Sequence, residues 1–193
     1  MKRQRVTGII LAGGMSSRMG ADKSLLVFSG KTLIENAINI LRPVCSEIVI
    51  SAPENRYGFT GLECWPDIIE VKAAMAGVYS CLKRSVTKLN LILGCDMPLV
   101  DPLFLADLIS DSAKADLIIP VHDGNRYEPL CSVYKKNLLA SLTESLQRGE
   151  YGLLNFALSS NYSAFVCENT PHFKPGMFTN VNTATDFDLL VSS

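Results

Sequence analysis

Residues 6–26 read V-T-G-I-I-L-A-G-G-M-S-S-R-M-G-A-D-K-S-L-L, and the rest of the predicted fold is organised around this stretch. Its first part, Val6 to Leu11, is short, mostly apolar and bounded by small residues. That pattern is typical of a strand buried on both faces of a parallel sheet. Ligands usually bind beyond the carboxyl ends of such strands. We therefore predict that the loop after Leu11 binds a ligand.

The chemistry of this loop favours an anion. Gly13 and Gly14 lack a Cβ, so their backbone can come close to a ligand and turn its amide groups toward anionic oxygens. Arg18 suits bidentate contact with phosphate oxygens, whereas Lys23 is a compact point charge. The alternative is a glycine-rich turn with surface charges. The combined pattern S-S-R-M-G-x-D-K favours phosphate binding over that alternative.

Two familiar phosphate-binding loops are excluded by their spacing. A P-loop requires G-x-x-x-x-G-K-[ST], but here Lys23 follows Asp22 and the last glycine is Gly20. The dinucleotide fingerprint G-x-G-x-x-G is also absent from the loop.

Length and composition limit the class of protein. The chain has 193 residues, a formal net charge of −1 and a pI near 6.1. We expect one domain over residues 1–193, with no electrostatic reason to bind nucleic acid or an anionic membrane. The sequence contains no apolar run of membrane-spanning length and no signal-peptide pattern, so we expect a cytoplasmic protein. Its six cysteines form no C-x-x-C pair, which predicts reduced thiols rather than a zinc site.

Hydrophobic periodicity predicts alternating strands and helices. The predicted strands are Val6–Leu11, Glu47–Ala52, a short one near Leu62–Trp65, Leu89–Gly94, Asp116–Pro120, Glu128–Tyr134, Ser163–Cys167 and Phe178–Asn180. The predicted helices are Thr32–Leu41, Ala73–Lys83, Leu103–Ile109, Leu138–Leu146, Leu153–Leu158 and a last one from Thr183. This alternation predicts an α/β fold, a three-layer α/β/α sandwich around a mostly parallel, Rossmann-like sheet.

A carboxylate follows the strand that ends at Gly94. The segment Gly94 to Val100 reads G-C-D-M-P-L-V, so Asp96 should lie at the same sheet edge as the glycine loop. Mg²⁺ prefers one or two carboxylates together with substrate phosphates and water. Asp96 is therefore a candidate magnesium ligand, and the alternative is a turn or capping residue before Pro98.

Both segments resemble one known family. L-A-G-G-M-S-S-R-M-G-A-D-K-S-L resembles the signature of the molybdenum cofactor guanylyltransferases, which belong to the nucleotide-diphospho-sugar transferase superfamily. G-C-D-M-P-L-V resembles their second motif, whose aspartate binds the metal. The resemblance spans residues 6–188 and implies transfer of GMP from GTP to molybdenum-molybdopterin, with release of pyrophosphate. It also implies protein partners that deliver or receive the molybdenum cofactor.

The resemblance assigns roles to single residues. Leu11, Ala12, Gly13 and Gly14 would place backbone groups against the nucleotide, Lys23 and Arg18 would balance phosphate charge, and Asp96 would hold Mg²⁺. The nucleotide-binding half would cover about residues 1–100 and the acceptor-binding half about 101–193. The acceptor is a terminal phosphate that is largely dianionic at neutral pH, so no side-chain base is needed.

Recognition of guanine is assigned to Asp67, in W-P-D, by the same resemblance. Guanine presents N–H donors at its Watson–Crick edge, and a carboxylate there would accept them. The other interpretation of Asp67 is a solvated loop acid. The family's asparagine after the second strand corresponds to either Ser51 or Asn55. The segment Ala73 to Gly77 reads A-A-M-A-G where the family has G-P-L-A-G, so base contacts there are open.

The acceptor side has fewer motifs. Tyr127-Glu128-Pro129-Leu130 and Phe178 to Thr183 resemble family segments that line the pterin side of the cleft, which makes Asn180 and Asn182 candidate binding residues. Asparagine amides suit a pterin edge, but both asparagines could equally be turn and cap residues. His122 has no acid or nucleophile at a recognisable spacing, and we predict that it is not catalytic.

Three alternative functions remain open from the sequence. Within the superfamily, the chain could transfer CMP to the cofactor or a nucleotide to a sugar phosphate. Outside it, the chain could be a GTP-binding module without catalysis.

Overall fold

The computed structural model describes residues 4–12 and 22–181, and the elements below lie within them. The strands are β1 Val6–Leu11, β2 Val27–Phe28, β3 Lys31–Thr32, β4 Glu47–Ser51, β5 Cys64–Trp65, β6 Leu89–Gly94, β7 Leu117–His122, β8 Arg126–Tyr127, β9 Cys131–Lys135 and β10 Tyr162–Val166. The helices are α1 Leu33–Leu41, α2 Ala74–Arg84, α3 Pro102–Ser110, α4 Leu139–Gln147 and α5 Leu153–Ser159.

One mixed sheet forms the centre of the fold. Its strand order is β10-β7-β9-β6-β1-β4-β5, and β8 pairs with β7. β1 is parallel to both β4 and β6, and β7 is parallel to β10. β9 runs antiparallel between β6 and β7. Consequently β1, β4, β6, β7 and β10 all end at one side of the sheet, which we call the carboxyl edge.

Helices cover both faces of this sheet, as the sequence predicts. Ile10 in β1 packs into one core together with Ile34 of α1 and Phe104 of α3. The neighbouring residue Ile9 points to the other face and packs with helices α2, α4 and α5. Because successive side chains of a strand alternate between faces, an apolar run such as β1 supplies both cores at once. The three-layer sandwich is therefore confirmed.

Local sequence explains where individual helices begin. Thr32 and Glu35 form a reciprocal capping box that starts α1. Asp101 caps α3 by accepting from the Leu103 backbone N–H, with proline at the first helical position. By contrast α2 starts after Ala73 without a side-chain cap, which is the structural consequence of the A-A-M-A-G segment.

Two strand predictions need correction, and one hairpin was missed. The predicted strand Phe178–Asn180 is wrong: its backbone forms turn hydrogen bonds instead, including Thr179 N–H to the carbonyl of Gly176, whose φ is +82°. The predicted strand from Glu128 begins only at Cys131, because Pro129 has no N–H to donate and the Cys131 N–H turns back to the Glu128 carbonyl. The short β2-β3 hairpin was not predicted from the sequence.

The remaining expectations about structure are either confirmed or concern residues that the structure does not describe. The Asp123-Gly124 dipeptide, a typical turn sequence, has both residues at positive φ. The six cysteines are all unpaired, and burial raises the pKa of thiols such as Cys95 to about 12. Within the described ranges, every helix is too short or too polar to cross a membrane. The predicted helix from Thr183 lies outside those ranges.

Candidate active site

Three strand ends meet in register at the centre of the carboxyl edge. Leu11, the last residue of β1, lies opposite Ser51 of β4 on one side and Gly94 of β6 on the other. The Cys95 N–H donates to the Leu11 carbonyl at 3.2 Å, which fixes the chain leaving β6 against the end of β1. The residue that follows, Asp96, therefore emerges beside the start of the predicted ligand loop.

Asp96 and Lys23 meet at this edge. Lys23 Nζ donates to Asp96 Oδ2 at 2.8 Å, and the two side chains are 20% and 23% exposed. The two residues are 73 positions apart in the chain, so the sheet brings together what the sequence placed in separate motifs. Such a pair, open to solvent on one side, offers both a cation and a carboxylate to a phosphate-bearing ligand.

Close packing restricts the backbone around Asp96. A Cβ on Gly94 would lie 2.7 Å from Asp96 Oδ1, so a larger residue there would displace the carboxylate. The Asp96 carbonyl also accepts from the N–H of Val181 at 2.9 Å. This bond brings the carboxyl-terminal segment, and with it the exposed Asn180, to the same edge.

Asp67 lies in a second group of residues at the ends of β1 and β4. Its carboxylate Oδ1 lies 3.6 Å from the position that a Cβ on Gly77 would occupy, and Ser51 Oγ lies 2.7 Å from that position. The Asp67 residue is exposed, yet partial burial of its carboxyl group raises its pKa. Gly77 is therefore required for α2 to approach this edge, which gives a physical reason for one of the two matching residues in A-A-M-A-G.

Ser51 and Asn55 occupy different surroundings. Ser51 is 3% exposed and adjoins Leu11 and Gly77. Asn55 is exposed, has a φ of +58° and lines a surface cavity of about 550 Å³ together with Trp65 and Arg84. The described lining of that cavity includes neither Asp67 nor Asp96, so the cavity is separate from the candidate site. Ser51 therefore lies beside Gly77 and the end of β1, whereas Asn55 lies at the separate cavity.

A histidine at the acceptor side was missed by sequence reasoning. His122 ends β7, and its two ring nitrogens lie 3.1 Å from Asp123 Oδ2 and 3.0 Å from Glu128 Oε1. The imidazole ring also packs on Phe178, with centroids 4.9 Å apart and planes inclined by 34°. Two carboxylates therefore lie against His122 although the residue spacing did not indicate them, and its lack of a catalytic role stays a prediction. The signal in the sequence was the D-G turn, which predicts a hairpin that folds Glu128 back onto His122.

Several predicted site residues lie outside the described ranges. These are Gly13, Gly14, Arg18 and Asn182. Over residues 4–12 and 22–181, no three His, Cys, Asp or Glu side chains are grouped to hold a metal ion.

A sheet of this topology, with a lysine ammonium and a carboxylate at its carboxyl edge, is typical of α/β proteins that bind nucleotides. The family model described as the MobA-like NTP transferase domain matches residues 8–162, and the chain belongs to that family.

Individual relatives agree with this assignment. The chain is 32% identical over 188 residues to the molybdenum cofactor guanylyltransferase of Yersinia pestis, covering 95% of this chain and 94% of the relative. It is 29% identical over 185 residues to a probable molybdenum cofactor guanylyltransferase of Flavobacterium johnsoniae, covering 96% of each. Among solved structures, molybdopterin-guanine dinucleotide biosynthesis protein A from Archaeoglobus fulgidus superposes with a TM-score of 0.79 at 23% identity. The match covers 97% of this chain and 100% of that one.

Proposed function

We propose that this chain transfers GMP from GTP to molybdenum-molybdopterin and releases pyrophosphate. The reaction is the one that the relatives' names give. The observation that supports it for this chain is the contact of Lys23 with Asp96 at the carboxyl edge, 2.8 Å between Nζ and Oδ2. The proposal covers one domain, with the nucleotide bound by about residues 1–100 and the acceptor by about 101–193.

The reaction exchanges one phosphoanhydride bond for another. An oxygen of the acceptor's terminal phosphate bonds to the α-phosphorus of GTP, and the bond from that phosphorus to the β-phosphate bridging oxygen breaks. The acceptor oxygen is already anionic at neutral pH, so catalysis needs alignment and charge neutralisation rather than a base. Lys23, together with Arg18, would neutralise charge on the triphosphate.

A divalent cation fits the residues present. Asp96 offers a partly exposed carboxylate beside Lys23, and the hard oxygen ligands of a triphosphate would complete the coordination of Mg²⁺. When bound, Mg²⁺ supplies Lewis-acid neutralisation of phosphate charge. From its position beside Asp96, the Lys23 ammonium would bind the triphosphate.

The base of the nucleotide is selected in this proposal by Asp67, beside Ser51 and Gly77. A carboxylate accepts hydrogen bonds but donates none when ionised, which matches the N–H donors of guanine. Leu11 and Ala12, at the end of β1, would supply backbone contacts together with Gly13 and Gly14. On the acceptor side, Asn180 and Asn182 would contact the pterin.

Pyrophosphate release tests the proposal. The protein is incubated with Mg²⁺, molybdenum-loaded molybdopterin and GTP, CTP, ATP or UTP in turn. GTP-selective release that depends on the acceptor supports it. A preference for CTP would assign the chain to cytidylyl transfer and remove Asp67 as a guanine reader. GTP binding without release in the presence of this acceptor would favour a sugar phosphate acceptor or a module without catalysis.

A further inference from the structure

Lys23 lies in a very short element whose backbone position depends on hydrogen bonds from other residues. Residues Lys23–Leu25 form a single 3₁₀ turn immediately after Asp22. A turn of this length has few hydrogen bonds of its own, and a lysine side chain has a flexible four-carbon stem. The direction in which Lys23 points therefore depends on what holds the backbone on either side of it.

Asp22 holds this turn at its beginning. Its carboxylate Oδ1 accepts from the Ser24 backbone N–H at 3.1 Å and from the Ser24 hydroxyl at 2.7 Å. This is an N-terminal cap that ties residues 22 and 24 together across Lys23. A carboxylate so placed fixes the backbone of the lysine between them.

The other carboxylate oxygen of Asp22 accepts hydrogen bonds from a loop that is distant in the sequence. Asp22 Oδ2 accepts from Arg56 Nε at 2.9 Å and from the Tyr57 hydroxyl at 3.1 Å. Tyr57 is completely buried, and its hydroxyl also lies 2.8 Å from Ser24 Oγ. The guanidinium of Arg56 lies 5.8 Å from the centre of the Tyr57 ring. The two residues follow β4 and thus connect the lysine turn to the central sheet.

The charges in this group are balanced. Burial opposes ionisation of Asp22, but its hydrogen bonds with Ser24 and Arg56 outweigh that effect and lower its pKa. Burial raises the pKa of Tyr57 to about 12, so at neutral pH its hydroxyl is a donor. The Arg56 charge offsets the Asp22 carboxylate, which would otherwise repel phosphates bound by the adjacent Lys23.

We infer that Asp22, Arg56 and Tyr57 form a bracket that positions Lys23 for the triphosphate of the nucleotide. They are positioning residues rather than catalytic ones, because they act through Lys23. The inference rests on the proposed function only in taking Lys23 as a phosphate-binding residue. It adds residues of the loop after β4, outside the glycine-loop motif, to the nucleotide site.

The test compares affinity for GTP in four proteins: wild type, Tyr57→Phe, Lys23→Met and the double variant. Tyr57→Phe keeps the buried ring and removes only its hydroxyl. We expect it to weaken GTP binding by about fivefold, the effect of one hydrogen bond. In the Lys23→Met background the same change should have no effect, because the group that the bracket positions is gone. Titration calorimetry with GTP and Mg²⁺ measures both.

Two further variants separate positioning from general loss of structure. Arg56→Gln changes a side chain that is 42% exposed, so it can alter Asp22 without disturbing the core, and it should weaken GTP binding to a similar degree. Tyr134→Phe is the matched control: it removes another buried tyrosine hydroxyl, bonded to the Pro129 carbonyl at 3.0 Å. Tyr134→Phe should lower the thermal midpoint yet leave the affinity for GTP unchanged.

Each alternative outcome has a definite meaning. The bracket would be overturned if Tyr57→Phe lowered the affinity for GTP equally in the Lys23→Met background. It would also be overturned if Lys23→Met bound GTP weakly while Tyr57→Phe and Arg56→Gln bound it as wild type does. If Lys23→Met itself binds GTP as wild type does, then the phosphate-binding role of Lys23 fails, and the bracket fails with it.

Discussion

Two groups of side chains at the carboxyl edge are built in different ways. The first group comprises Lys23, Asp67 and Asp96. Its members follow parallel strands or precede a helix, and Asp96 comes two residues after β6 ends. The second group, His122, Glu128 and Phe178, is assembled by a hairpin and by the carboxyl-terminal segment packing back. A site at strand ends is thus marked by the residues that directly follow each strand, whereas a site made by chain reversal is marked mainly by its turn, here Asp123-Gly124.

Their chemistry differs as well. The first group joins a lysine to a carboxylate, which suits phosphates and a cation. The second places an imidazole between two carboxylates and against an aromatic ring, with Arg126 3.5 Å from Asp123. Carboxylate acceptors of this kind suit a ligand that carries N–H groups. The predictions below test whether the two groups serve two substrates.

The largest effect is expected at Asp96. Asp96→Ala removes the carboxylate proposed to hold the cation, and turnover should fall by about a thousandfold or more, since a bound metal contributes several kcal/mol to stabilising the transition state. Steady-state pyrophosphate release over a range of Mg²⁺ concentrations measures this. Asp111→Ala, which breaks an exposed ion pair with Lys114, is the control and should stay near wild type. Retained Mg²⁺-dependent activity in Asp96→Ala would exclude the metal assignment.

A smaller but selective effect is expected at Asp67. Asp67→Ala should lower the preference for GTP over ATP by about 10- to 100-fold, which corresponds to the loss of hydrogen bonds to a charged acceptor. Competition between the two nucleotides, followed by the identity of the transferred nucleotide, gives this ratio. Glu70→Ala, an exposed acid of the same loop, should not change it. An unchanged ratio in Asp67→Ala would place recognition of the base elsewhere.

The second group should affect the other substrate. Glu128→Gln removes the charge that faces His122 Nε2, and we expect the KM for the molybdopterin acceptor to rise about fivefold, as for one hydrogen bond. The KM for GTP should stay constant. Glu150→Gln, which alters an exposed carboxylate paired with Arg148, serves as the control. An equal rise in both KM values would contradict the division of the edge between two substrates.

The smallest effect concerns the segment that carries Phe178 and Asn180. Asp107 of α3 holds this segment by accepting from the Thr170 hydroxyl and by pairing with His172 Nδ1 at 2.7 Å. Burial opposes ionisation of Asp107, but the hydrogen bonds from Thr170 and His172 outweigh it and lower its pKa. Because the carboxylate is partly exposed, Asp107→Asn should cost only about 0.5 kcal/mol at neutral pH.

The pH dependence of that effect follows from the direction of the shift. The folded-state pKa of Asp107 lies below its ordinary value of 3.8. Its stabilisation is therefore fully present above that value and is lost as the pH falls through the lower folded-state pKa. Urea unfolding of wild type and Asp107→Asn should differ at pH 7 and converge in acid. A difference that grows as the pH falls would contradict this assignment.

Sequence alone predicted the elements that depend on local pattern. Buried parallel strands are continuous apolar runs, so β1 and β6 were found with their observed ends, and α1 was placed from its apolar face to within one residue. Residues just after such a strand lie at the sheet edge, and Asp96, two residues after β6, is therefore predictable as an edge residue from the sequence. The reversed strand β9 was found as a strand, but its direction was not, because periodicity carries no information about orientation.

Neighbouring residues are enough to indicate which strands are buried and, for β1 and β6, where the strand ends and which charged residue follows it. Only the packed fold shows that Arg56 and Tyr57 bond Asp22 across 34 and 35 residues and that residues 178–180 lie outside the sheet. These contacts depend on strand order and on side-chain packing between distant segments. The free energy of such contacts is available only after the sheet has brought those segments together.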